Sequence, residues 1–138
     1  MTSLPPWPDL NNPGTTFLRA AGLRFETFDA THVTGWIELT ADHHQPWGLV
    51  HGGVYTTAIE TAASVGASLA AAARGLVAVG VNNNTNFLRP MTAGRVTVDA
   101  RPISQGASQQ LWEVRITDQA DRLVAMGQVR LQNIAPRT

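Results

Sequence analysis

Apolar and polar residues alternate over residues 23–28 and again over 32–39, the spacing of half-buried strands. Asp29-Ala30-Thr31 between them suits a hairpin turn. Beyond residue 51 the period changes. Ala58, Ala62, Val65 or Gly66, Leu69 and Ala73 recur at helical spacing and predict a helix from Gly52 to about Ala73, roughly 20 residues and ~30 Å long. Arg74-Gly75 supplies a C-terminal cation and a stop. Four strands are expected after it, at 76–88, 95–103, 109–118 and 122–132. The first is broken into a second register by Asn82-Asn83-Asn84. Gly94, Gln105-Gly106 and Gln119-Ala120 mark the turns. Before the first strand, residues 17–22 could make a short helix. Residues 41–50 look like an irregular loop, punctuated by Pro46 and Gly48. Residues 1–14 carry four prolines and read as an extended arm, leaving 15–138 as a single domain.

The order of strand, strand, long helix and four strands argues for an α+β fold with an antiparallel sheet. A single long helix can bury most of its circumference only if the sheet curls around it. The helix's alanines, glycines, serines and threonines permit that close approach.

The chain has 138 residues, the size of one domain with a real core. Only 14% of the residues are charged, which favours burial of surface against further copies of the chain. Net charge is zero, and no basic stripe suggests nucleic-acid binding. There are no cysteines, so disulfides, thiolate metal sites and cysteine nucleophiles are excluded. The N-terminal residues lack the pattern of a signal peptide. The alanine-rich run at 62–73 is too short to span a bilayer. A soluble, cytoplasmic protein without membrane or nucleic-acid partners is expected.

One formally charged residue, Glu60, lies between Asp42 and Arg74. A solvent-facing helix normally shows a charged stripe, so this helix is expected to be buried nearly all round. A buried unpaired carboxylate costs several kcal/mol, and such a group is usually kept for its chemistry. Ser64 follows four residues later on the same helix face and could orient a water. His51-Gly52-Gly53 opens the helix, whose first N–H groups lack internal partners and carry partial positive charge. An N–H of Gly52 or Gly53 could therefore hold charge developing on a carbonyl oxygen. Gln45 in the preceding loop could bond the same carbonyl. Asn84 and Arg89 are candidate substrate contacts, Arg89 through a phosphate. His43 and His44 beside Asp42 do not have the spacing of a metal site. No phosphate-cradling loop or nucleophile elbow is present.

Gln45, Gly48-Leu49-Val50-His51-Gly52-Gly53, Glu60, Asn86-Phe87-Leu88-Arg89-Pro90 and Gly94 together resemble the hotdog-fold thioesterases of the PaaI-like and 4-hydroxybenzoyl-CoA thioesterase type, over residues 15–133. The resemblance implies a curved antiparallel sheet of five to six strands wrapped around one long central helix. It implies a homodimer with active sites shared between chains, often paired into a tetramer. It implies hydrolysis of acyl-CoA with no cofactor beyond the coenzyme A of the substrate. By position, Glu60 matches the catalytic carboxylate, Gly52 the oxyanion N–H, Gln45 a polar group near the thioester, Ser64 a hydroxyl that holds water, and Arg89 a contact to the nucleotide. Many PaaI-like members have Asp at the Glu60 position and Asn at the Gln45 position. The Glu and Gln pair is more like an aryl-CoA branch, in which Thr often stands at Ser64, and this tilts the expected substrate toward aromatic acyl groups. Two rivals remain: a 3-hydroxyacyl thioester hydratase or dehydratase using His51 with Glu60, and a non-catalytic acyl-CoA binder.

Overall fold

The computed structural model describes residues 7–137. Residues 1–6 of the expected arm lie outside the described residues. The elements in chain order are α1 (Thr16–Ala21), β1 (Arg24–Phe28), β2 (Val33–Leu39), a 3-10 turn (Ala41–His43), α2 (Gly52–Ala72), β3 (Val77–Phe87), β4 (Gly94–Gln105), β5 (Gln109–Thr117) and β6 (Leu123–Ile134). The six strands form one sheet in the order β1-β2-β4-β5-β6-β3. Every neighbouring pair is antiparallel.

Local chemistry explains the turns. Asp29 Oδ1 accepts from the N–H groups of Thr31 and His32, both at 2.8 Å, which closes the β1–β2 hairpin as an Asx turn. The register break expected in β3 falls between Gly80 and Asn82, so side chains beyond it are set by a bulge rather than by simple alternation. A second irregularity in β4 follows Pro102, which has no N–H to give the ladder.

The inward face of the sheet carries Val33, Ile37, Val96, Val98, Trp112, Val114, Ile116, Val129 and Leu131, all fully buried. α2 lies across it and buries Ala58, Ile59, Ala62, Ala63, Gly66 and Ala67. Its small residues set the spacing: a Cβ on Gly66 would run into the buried Trp112 ring, a contact no side chain tolerates. Trp112 Nε1 donates to Gln110 Oε1 at 2.9 Å, and Gln110 Nε2 donates to Ala67 O and Asn133 Oδ1, both at 3.0 Å. The polar groups beside the buried indole are thereby satisfied.

The expectation that α2 is buried nearly all round needs correction for the single chain. Glu60 is exposed, and Gly53, Thr56, Thr57 and Ser64 are half-buried. The sheet ends at β3, one of its two edge strands, and Glu60 sits at that margin beside Gly80. Among the described residues, no helix is long and apolar enough to cross a membrane.

Candidate active site

The site begins where the loop enters α2. His51 N donates to His43 O at 2.8 Å and Val50 N to Met91 O at 2.9 Å, fixing the segment that leads into the helix. His43 and His44 rest on the backbone carbonyls of Ala20 and Thr92, so their rings pin the loop to its neighbours. His51 is the N-cap, and its Nδ1 accepts from Gly53 N at 2.8 Å. An accepting Nδ1 makes the imidazole neutral, with its proton on Nε2. Val54 N turns back to His51 O at 3.0 Å. Gly53 and Val54 are therefore capped, and the Gly52 N–H has no acceptor among the described residues. Of the two amides the sequence offered as oxyanion donors, only that of Gly52 is free. The helix dipole adds to its positive character. Glycine lets the exposed Phe87 ring rest close to the helix start: a Cβ on Gly52 would lie 2.7 Å from it, and the ring would have to shift.

Gln45 is held in a tight turn. Its N–H donates to Leu49 O at 2.7 Å and its carbonyl accepts from Gly48 N at 3.1 Å, with Gly48 at φ 84°. Gln45 Oε1 accepts from Trp47 N, which leaves the side-chain NH2 as a free donor. Gln45, Gly52, Tyr55, Phe87 and Arg89 line one open cleft of about 520 Å³. The N–H groups of Leu88 and Arg89 both donate to Val124 O, at 2.8 and 3.1 Å, and so lock the chain as it leaves β3. The Arg89 guanidinium is exposed and makes no ion pair or hydrogen bond among the described residues. Beneath the cleft, the Tyr55 hydroxyl is buried without a partner among the described residues, and burial pushes its pKa up to about 12.

Glu60 lies elsewhere on the helix. Its Oε1 is 3.4 Å from Asn83 Nδ2, and Asn83 Nδ2 also donates to Thr56 O at 3.1 Å. Thr85 Oγ1 donates to Asn83 Oδ1 at 2.7 Å and fixes the amide's orientation. Ser64 lies one turn on, half-buried, without a hydrogen bond to Glu60. Asn84 does not join Glu60. Successive side chains of a strand face opposite ways, so with Asn83 turned to the helix, Asn84 faces the far side of the sheet. Asn83 is the group that sequence inspection missed; the asparagine cluster marked a register break, and the bulge decides which member faces the helix.

Within one chain, Gly52 and Glu60 are not brought together. Eight residues of helix separate them, ~12 Å along the axis, and Glu60 does not line the cleft.

Comparison with known proteins agrees with this fold. Residues 48–125, from the cleft loop through α2 to β6, match the family model described as the Thioesterase superfamily. A Mycobacterium tuberculosis protein named as an esterase is 44% identical over 118 residues, 84% of each chain. Its solved structure superposes with a TM-score of 0.85 at 42% identity, covering 90% of this chain and 100% of that one. The 1,4-dihydroxy-2-naphthoyl-CoA hydrolase of Listeria monocytogenes is 40% identical over 90 residues, 65% of this chain and 72% of its own. The Escherichia coli PaaI protein, at 22% identity, shares the fold with a TM-score of 0.78 over 88% of this chain and 86% of that one. An antiparallel sheet laid around one long helix, an uncapped amide at that helix's N-terminus and a match over more than half the sequence place this chain in the thioesterase superfamily, among the hotdog-fold enzymes that hydrolyse thioesters.

Proposed function

We propose that the protein hydrolyses acyl-CoA thioesters in active sites built between two copies of the chain, and the free Gly52 N–H in a cleft with the Gln45 amide and the unpaired Arg89 guanidinium carries this reading. The thioester oxygen lies against Gly52 N–H and Gln45 Nε2, and a phosphate of coenzyme A meets Arg89. Losing one such oxyanion donor typically costs ~2.7–4 kcal/mol of barrier. A carbonyl held at Gly52 is too far from Glu60 of the same chain, so Glu60 of a second copy completes the site. β3 offers the means. It is an unpaired edge with Val79 and Val81 exposed, and pairing two such edges would bury them together with Glu60. By two-fold symmetry a dimer holds two sites; further pairing into a tetramer is part of the proposal. No cofactor is needed, because every group invoked belongs to the chain, and the cytoplasm is the proposed location.

Two routes use the same carboxylate. As general base, Glu60 takes a proton from water, the water oxygen bonds to the acyl carbon, the C–S bond breaks, and the proton passes to the departing thiolate. As nucleophile, a Glu60 oxygen displaces the thiolate to give a mixed anhydride, which water then opens. In this reading Ser64, one helical turn on from Glu60, holds that water. Oxygen-18 found in the Glu60 carboxylate after a single turnover in labelled water requires the anhydride.

A hydratase would need His51 as a base. Its Nδ1 is occupied by Gly53 N–H and its Nε2 carries the proton, so it is arranged to donate.

The test is release of free thiol from acyl-CoAs. Wild type should release it above background, and Glu60→Gln should lower kcat by about 10²–10⁴-fold. Intact binding of acyl-CoA without release would instead support a carrier.

A further inference from the structure

An open sheet has two edge strands, here β1 and β3, and each edge offers unpaired N–H and C=O groups to a further strand. The two edges differ. β3 runs for 11 residues with Val79 and Val81 exposed, and no strand pairs with its outer side among the described residues. β1 is closed by the chain's own N-terminal segment. Asn11 Oδ1 accepts from Phe25 N at 2.7 Å, and Asn11 Nδ2 donates to Phe25 O at 3.1 Å. One side-chain amide thus takes both groups that a neighbouring strand would use at Phe25. The register break between Phe25 and Thr27 bends the edge beyond that point, as bulges at sheet edges do.

The segment holds that amide in place. Arg24 Nη1 donates to Asn11 O at 3.0 Å, and Arg19 Nη1 to Pro13 O at 3.2 Å. Asp9 accepts the Asn11 N–H on Oδ1 at 3.1 Å and the Asn12 N–H on its carbonyl at 3.2 Å. Leu10 packs on the core. The form of this closure matters. A seventh strand laid beside β1 would present an outer edge of its own and move the exposed ladder one strand outward. A side-chain amide ends the ladder instead. Pro8 and Pro13 on either side of it have no N–H to offer a further strand, and those of Asn11 and Asn12 are already taken by Asp9.

We propose that residues 9–13 are an edge cap: they hide a second docking edge for copies of this chain, so that association through the sheet runs by β3 alone and stops at a pair. This rests on the β3 pairing set out above. One open edge per chain gives a closed two-fold contact, in which the same surface serves both copies. Two open edges per chain allow a head-to-tail contact that has no natural end. The capped β1 therefore keeps the shared-site dimer from growing into extended sheets, and pairing of dimers through other faces is untouched by it.

The experiment combines amide hydrogen exchange with sedimentation velocity. In wild type the Phe25 amide should be protected, and in Asn11→Ala it should exchange about tenfold faster, the effect of losing one hydrogen bond. Asn11→Ala should form species larger than wild type that grow with concentration. Adding Val81→Lys, a charge on the β3 edge, should stop that growth at a pair. Circular dichroism checks that the variants are folded. A folded Asn11→Ala chain with the wild-type size distribution at every concentration would overturn the proposal. So would a wild-type Phe25 amide that exchanges as fast as one in an open loop, a measurement that needs no variant. A wild type that stays monomeric sinks the shared-site reading instead, and the cap is then decided by whether Asn11→Ala gains a pairing that wild type lacks.

Discussion

Asn83 touches Glu60 from β3 and is itself held by Thr85 and by the helix carbonyl of Thr56. It therefore acts through the carboxylate's position. Asn83→Leu should lower kcat about tenfold with KM little changed, whereas an unchanged kcat in the folded variant would remove Asn83 from this role. Tyr55 shows the opposite situation, a polar group without a partner. Its pKa is raised to about 12 by burial, so the folded state favours the neutral phenol. That contribution is present below pH 10, the unfolded value, and is lost as pH rises toward 12. Tyr55→Phe should abolish this alkaline loss in chemical denaturation. It should also raise stability near neutral pH by ~1 kcal/mol, since an unsatisfied buried hydroxyl costs ~1–3 kcal/mol. At this scale Glu60 and Gly52 stood out in the sequence as candidates, because one charge in a depleted stretch and two glycines at a helix start are chemical anomalies; Gln45 stood out only with the resemblance. Asn83 did not, because which asparagine meets the helix depends on the bulge between Gly80 and Asn82. The residues alone left Gly52 and Gly53 open and the resemblance named Gly52; the His51 ring that caps Gly53 N–H leaves that same Gly52 amide free.

The elements follow from simple rules, and their ends show where side chains take over. β5 and β6 are joined through Asp118. The Arg122 N–H bound to it is the largest influence lowering its pKa; burial opposes, and the Ala120 N–H and Arg122 guanidinium reinforce the lowering. With the folded value below the ordinary 3.8, the turn's stabilisation is complete above that pH and is lost as pH falls through the folded value. Acid titration followed by near-UV circular dichroism should show Asp118→Asn losing stability at pH 7 and showing a shallower acid limb than wild type. Alternation and helical period placed all six strands and α2 to within a few residues. They misjudged how deeply α2 is buried. Within one chain the sheet stops at β3 and leaves Glu60 exposed, so charge depletion along a helix does not by itself report burial in the single chain.

At the scale of the whole molecule, the exposed edge of β3, the exposed Glu60 beside it and the ~12 Å of helix between Glu60 and Gly52 all point to the same arrangement. The proposed dimer, joined at this edge, would cover Val79 and Val81 and supply each cleft with a carboxylate. The arm and α1 cap the other flank of α2. In that proposed dimer one helix would serve two sites, giving its N-terminal amide to one and Glu60 to the other.

Glu60→Gln and Gln45→Ala chains should each be nearly inactive, one lacking the carboxylate and the other the amide donor. When the two are co-refolded so that chains exchange at random, half of the dimers are hybrids, and each hybrid has one undamaged site. The mixture should recover about a quarter of wild-type thiol release. Hybrid dimers that form, as shown by differently tagged chains purifying together, yet release no more thiol than the separate variants would contradict the shared site.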